Sequence, residues 1–227
     1  LKLRFGIDAF IVDASTLVDE LEHSSSMGAP KAWIASYQTL RPPKSWRPSD
    51  TPPPKKASGR VRLAHLLDEH AEEEPLVDLV VFDEAHYMRN PESSVHRLGE
   101  MLQKVSQQRV LLSATPINLH NDDLFHLLQL CDPEHFQYPS SFQELLLANQ
   151  PLVSARDAAL NPSSSAEEIL TYVKWAADTD LLRNSRQLAT LLEVPPTDED
   201  LARPAFRAEL AASLERINLL GHVITRT

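Results

Sequence analysis

Residues Leu76 to His86 read LVDLVVFDEAH, and this stretch constrains the chain more than any other. Leu76, Val77, Leu79, Val80, Val81 and Phe82 are apolar, and only Asp78 interrupts them. A short, β-branched apolar run of this kind predicts an inner strand of a parallel sheet, covered by helices on both faces. Two carboxylates, Asp83 and Glu84, follow at its carboxyl end, where ligands sit in open α/β sheets. One acid in that position can hold Mg²⁺, a hard cation that prefers oxygen ligands. An acid beside it can orient and deprotonate a water. The bland alternative is a solvated turn whose acids cap the next helix.

Asp83-Glu84-Ala85-His86 is more specific than a strand with two acids. With average residue usage, a given tetrapeptide arises on the order of once in a thousand chains of this length. A second signal follows, RVLLSATP from Arg109 to Pro116, another apolar strand, which ends in Ser113-Ala114-Thr115. Together these resemble a superfamily-two helicase core. The DEAH box at Asp83–His86 is similar to motif II, the Walker B box, and Ser113-Ala114-Thr115 to motif III. Three further segments narrow the resemblance to the SWI/SNF-type ATPases, particularly their bacterial relatives. They are Pro116-Ile117-Asn118, Leu124-Phe125-His126-Leu127-Leu128 and Asp132-Pro133-Glu134-His135-Phe136. The close likeness covers roughly residues 76 to 136, and a looser one reaches both ends.

Composition bounds the rest. The 227 residues are 42% hydrophobic, enough for one large domain or one domain with a helical appendage. Cys131 is the only cysteine, so no disulfide framework exists within the chain. No apolar run is long enough to predict a membrane span, and no signal peptide opens the sequence. The formal charge of −10 argues against a dedicated nucleic-acid module but leaves room for one basic groove on a larger assembly.

Along the chain, residues 7–14 predict a strand, and Ser15 or Thr16 a cap for a short helix through Leu21. Residues 32–36 predict a second strand. Arg41 to Gly59 carries six prolines and no apolar period, which predicts an exposed, partly extended insertion dispensable for folding. Its lysines and arginines, with Arg60 and Arg62, form the one basic cluster, read either as a phosphate contact or as a solvated loop. Helices are expected over 61–73, after Asn90-Pro91, and from Asn121 through Leu130. From Ser141 the pattern is helical throughout, with breaks expected at Pro151, Asn161-Pro162 and Pro195-Pro196. Pro204 opens a last helix whose apolar stripe runs from Phe206 to Ile224.

The expected fold is therefore α/β: by the resemblance, a partial RecA-like parallel sheet of at least four strands flanked by helices (1–140), then an all-helical extension (141–227). The resemblance implies a nucleic-acid-stimulated ATP hydrolase that moves on double-stranded DNA. Its cofactors would be ATP and Mg²⁺. Asp83 would hold the Mg²⁺, and Glu84 would polarise the attacking water. His86, Ser113 and Thr115 would couple nucleotide state to the nucleic acid. Ser36-Tyr37 matches a family strand end that meets the nucleic acid backbone; an ordinary strand end with a packed tyrosine is the alternative. RNA polymerase or another DNA-bound complex is the implied partner, and the bacterial cytoplasm or nucleoid the setting. None of the five glycines precedes a lysine, so the phosphate-cradling loop of such enzymes is missing from the sequence. By the resemblance that loop belongs before Leu1, and the second lobe after Thr227. The competing expectation is a helicase-derived interaction module with no ATPase of its own.

Overall fold

A computed structural model of the chain describes residues 4, 6–23, 30–49, 51–54, 56–113 and 121–221. The chain divides into two compact units, Leu1–His135 and Phe136–Thr227.

The first unit alternates strands and helices. Its elements are β1 (Asp8–Ile11), α1 (Ala14–His23), β2 (Lys31–Ile34), a single-turn helix α2 (Tyr37–Leu40), α3 (Gly59–Glu69) and β3 (Val77–Phe82). A 3₁₀ turn (Ala85–Met88), α4 (Ser94–Lys104), β4 (Ser106–Leu111) and α5 (Asn121–Cys131) complete it. β1 pairs with β2 and β3 with β4, both in parallel, as expected where helices make the crossovers. Among the described residues these are two separate two-stranded sheets, not one sheet of four.

The alternation along β3 shows which face is packed. Phe82 is buried and Val80 half-buried, and both lie in a cluster with Ala85, Met88, Val95, Leu127 and Leu130. On the opposite face Leu79 and Val81 are each 51% exposed, and Val110 and Leu112 of the neighbouring strand are also open. The expectation of cover on both faces is thus corrected: the helices α4 and α5 lie on one face only, among the described residues. The apolar run of β3 still carries the composition of a strand buried on both sides.

A second cluster joins α1, α3 and α4 through Leu17, Val18, Leu63, Leu67 and Leu98. Here Gly59 allows α3 to meet the first turn of α1: a Cβ at this position would lie 2.2 Å from Ser15 Oγ and 2.7 Å from its backbone nitrogen. α1 is capped by Asp13, not by Ser15 or Thr16. Asp13 Oδ1 accepts from the Thr16 amide and hydroxyl at 2.9 and 3.0 Å, and these bonds hold its carboxyl below the usual range. The helix starts at Ala14, so Asp13 stands at the N-cap, within reach of the amide of the third helical residue, whereas Ser15 and Thr16 already lie inside the first turn.

The proline-rich insertion forms no described helix or strand between Leu40 and Gly59. It is not, however, wholly exposed. Pro42 is buried, Trp46 packs against the α1–α3–α4 core, and Arg97 donates to the Trp46 carbonyl at 3.3 Å. The expectation of an exposed loop thus does not hold for this first part, where one large aromatic packs against the core. The basic cluster is also less free than its charge suggests. Arg62 pairs with Asp19 at 2.9 Å and Glu22 at 3.8 Å, and Arg47 donates to the carbonyls of Lys44 and Trp46.

The second unit is helical: α6 (Pro139–Leu160), α7 (Ala166–Ala177), α8 (Arg186–Glu193), α9 (Asp198–Leu201) and α10 (Pro204–Ile217). α6 runs through Pro151, which is buried within it. The predicted break does not occur. A helix-interior proline costs about 3 kcal/mol, and burying the flanking face, with Leu152, Ala155 and Ala159 in the core, outweighs that. Ser165, Ser185 and the Thr197–Asp200 capping box start α7, α8 and α9. α10 ends at Ile217, earlier than its apolar stripe suggested, because the Asn218 backbone leaves helical geometry (φ −51°, ψ 120°). The buried Asn149 side chain accepts the Leu219 amide just beyond it. No described helix is long and apolar enough to cross a membrane.

Candidate functional site

The site forms where β3 and β4 end side by side. Hydrogen bonding continues past the strand ends: the Leu112 amide donates to the Phe82 carbonyl and the Ala85 amide to the Leu112 carbonyl, both at 2.8 Å. Asp83 and Glu84 occupy the turn between these bonds and are exposed. Ser113, next after Leu112, stands at the same edge. Thr115, the other coupling residue expected from the sequence, lies outside the described residues, as does Ala114.

Glu84 is the one described non-glycine residue with positive φ (φ 52°, ψ 48°). A left-handed backbone at an ordinary residue costs about 1–2 kcal/mol, and such residues cluster at functional sites. This turn is what puts two consecutive carboxylates at one strand end and then starts the 3₁₀ turn carrying His86. Asp83 Oδ1 accepts the Glu84 amide at 3.0 Å. Glu84 Oε2 lies 3.2 Å from His86 Nδ1, but the approach is not aligned for a hydrogen bond, and that buried nitrogen has no hydrogen-bond partner.

The support behind the turn is more ordered than its surface. Met88 is buried at the end of the 3₁₀ turn, and Gly99 on α4 lets it approach: a Cβ at Gly99 would stand 3.0 Å from Met88 Sδ. His96, also buried, faces the Met88 carbonyl with Nδ1 at 2.6 Å and Glu100 Oε1 with Nε2 at 3.6 Å. Burial opposes charging His96, yet Glu100 and the Met88 carbonyl prevail and its pKa is raised. This residue carries no motif signal, and sequence reading missed it.

Ser36 and Tyr37 turn inward as well as outward. Ser36 Oγ caps α2 by accepting the Thr39 amide at 3.3 Å. The Tyr37 hydroxyl, 46 positions from the acid pair, donates to the Asp83 carbonyl at 2.5 Å. No periodicity or spacing in the sequence foretold that contact.

Among the described residues no group of three or more His, Cys, Asp or Glu forms a metal cage. Two exposed carboxylates at a strand end do suit a cation that keeps waters and phosphate oxygens as its other ligands, as Mg²⁺ does. The helical unit holds a separate concavity of about 560 Å³ lined by Leu160, Asp198, Leu201 and Arg207. Its polar groups are committed to the fold: Asp198 accepts the Ala166 amide, and Arg207 donates to carbonyls at the end of α6.

The family described as SNF2-related domain matches residues 14–197. Over 131 residues the chain is 32% identical to an RNA polymerase-associated protein RapA of Stutzerimonas stutzeri (strain A1501), a match covering 51% of this chain and 14% of that protein. It is 28% identical over 152 residues to an RNA polymerase-associated protein RapA of Haemophilus influenzae (strain Rd), covering 66% of this chain and 16% of that protein. The matches thus span only a small part of these relatives' length. No solved structure matches the chain.

Proposed function

Because the chain belongs to the SNF2-related domain family, we propose that it carries the acid half of an ATPase centre in a longer, nucleic-acid-stimulated motor, a DNA translocase of the SWI/SNF type. The observation that supports this most is the left-handed turn at the joined ends of β3 and β4, which presents Asp83 and Glu84 together beside Ser113.

In this reading Asp83 holds Mg²⁺ and Glu84 orients the attacking water and accepts its proton. When bound, the metal would neutralise charge on the phosphates as the terminal phosphoryl group departs. His86, Ser113 and Thr115 report the state of the strand ends to the nucleic-acid side. Ser36 and Tyr37 belong to that side. Double-stranded DNA is the proposed track, and the names of the two relatives favour RNA polymerase as the associated complex. The bacterial cytoplasm or nucleoid is the corresponding location.

A second reading, a helicase-derived docking module without ATPase activity, draws on the net charge of −10 and the lack of any Gly-Lys pair. The neighbouring acids separate the two. In the full-length protein containing this chain, Glu84→Gln should reduce kcat by about 10²- to 10⁴-fold, the usual cost of losing a general base, while ATP still binds. Asp83→Ala should weaken binding of Mg²⁺ and of the metal–nucleotide complex instead. Normal turnover in Glu84→Gln would remove the acid-pair assignment and leave the docking module.

A further inference from the structure

We propose that Tyr37 is a positioning residue for the acid pair: its hydroxyl holds the peptide between Asp83 and Glu84 in the orientation that keeps Glu84 left-handed. The inference rests on the reading of Asp83 and Glu84 as the hydrolytic acids.

The geometry at this peptide is unusual in being held from both sides. Its carbonyl accepts from the Tyr37 hydroxyl at 2.5 Å, and its N–H donates to Asp83 Oδ1 at 3.0 Å. A peptide between two residues can rotate as a plane, changing ψ of the first and φ of the second in opposite senses. Such a flip would bring Glu84 from φ 52° to the negative values that a glutamate prefers. It would also turn the Asp83 carbonyl away from Tyr37 and the Glu84 amide away from Asp83. The left-handed state is therefore disfavoured locally and persists only because contacts outside the turn select it.

Of the two holds, only Tyr37 is independent of the chemistry. An Asp83 carboxylate engaged with a cation has less to offer the Glu84 amide, whereas the tyrosine donor is unaffected. The phenol is also a dependable donor. A tyrosine phenol keeps its proton through the physiological range without help from its surroundings. Its ring is fixed by packing into both hydrophobic clusters of the first unit and by an edge-on contact with Tyr87 at 6.5 Å between centroids. Tyr37 also opens α2, directly after the Ser36 cap and before the proline-rich insertion. A displacement of that element would thus act on the catalytic turn through one hydrogen bond.

The test uses isotope-labelled 227-residue chain and Tyr37→Phe, which removes the hydroxyl and keeps the ring. The intraresidue amide-to-α-proton cross-peak of Glu84 is strong for a left-handed residue and weak for an extended or right-handed one. In Tyr37→Phe the left-handed population should fall about five- to tenfold relative to the flipped one, what one hydrogen bond of ordinary net strength supplies. The Leu112 amide, bonded to Phe82, should be unchanged. 4-Aminophenylalanine at position 37 restores a donor and should restore the left-handed signal. Retention of positive φ in Tyr37→Phe, failure of the amino variant to rescue, or changes spread across both units would each overturn the proposal. In the full-length protein the same substitution should lower kcat with KM for ATP unchanged. Normal turnover in Glu84→Gln would strike the ATPase reading and leave the conformational result standing, so the two failures are distinguishable.

Discussion

At the scale of single residues, the informative feature is how few of the groups proposed for the site are buried. Asp83 and Glu84 are exposed, and their order comes from backbone geometry and from buried neighbours that are not themselves reactive. His96 is the clearest of these. It bridges the end of the 3₁₀ turn to α4 by facing the Met88 carbonyl and Glu100, with the His126 ring 6.2 Å away. Its raised pKa means that its stabilising contribution is complete below the ordinary value of 6.5 and is lost as pH rises through the raised value. Glu100 behaves oppositely. The contact with His96 lowers its pKa, so its contribution is present above the ordinary 4.5 and is lost as pH falls through the lowered value. Thermal unfolding of the first unit should therefore be most resistant between about pH 4.5 and 6.5 and should weaken as pH rises further, through the raised value of His96. In Glu100→Gln the decline above pH 6.5 should flatten; a profile identical to that of the unaltered protein would show that the pair contributes nothing.

At the scale of elements, hydrogen-bond satisfaction decides boundaries that hydrophobic pattern alone does not. Arg207 on α10 is the strongest case. Its guanidinium donates to the carbonyls of Ala159, Asn161, Ser164 and Leu201 at 2.7 to 3.1 Å. Two of these, Ala159 and Asn161, lie at the end of α6, where carbonyls have no partner within the helix. Arg207→Met keeps much of the packing and leaves those carbonyls unsatisfied. It should lower the stability of the helical unit by about 3 kcal/mol, the upper range for hydrogen bonds to a charged group. Denaturant midpoints of the two proteins measure this, and a loss below about 1 kcal/mol would mean that water serves the helix end equally well. The same logic explains what was legible in the sequence. β3, β4 and the acid turn declared themselves because a short apolar, β-branched run ending in charge or hydroxyls has few alternatives to a strand. So did the last helix, through the spacing of Leu210, Leu214 and Ile217. Pro151 misled because the rule for proline weighs only the local backbone, and the burial around it is a tertiary fact. Trp46 misled because a proline-rich context hides one large side chain that packs. The Tyr37–Asp83 bond was invisible for a simpler reason: residues 46 apart meet only once the crossovers are formed.

At the scale of the whole molecule, the question is what the two units can do with the groups they contain. Phosphoryl transfer draws most of its acceleration from charge and dipoles already aimed at the phosphates, and little from the water-activating acid alone. The chain provides the acid pair and its support. It has no Gly-Lys pair anywhere, so it lacks the glycine-rich loop whose amides and lysine cradle the β- and γ-phosphates. An exposed carboxylate pair facing a nucleotide triphosphate without that cradle presents like charges to like, which opposes binding. The open apolar face of β3 and β4 agrees with this: Leu79, Val81, Val110 and Leu112 offer contact area but no donors to an anion. The purified 227-residue chain should accordingly show no ATP hydrolysis above background, with or without duplex DNA. Supplying Mg²⁺ should not change that, because the metal neutralises the phosphates without placing them in line with Glu84. Steady-state phosphate release, measured beside a Glu84→Gln control, decides the matter. Turnover that DNA stimulates and that Glu84→Gln abolishes would mean that the chain forms a phosphate site from residues other than a glycine-lysine loop. The acid pair would then stand as catalytic while its dependence on a longer motor would fall.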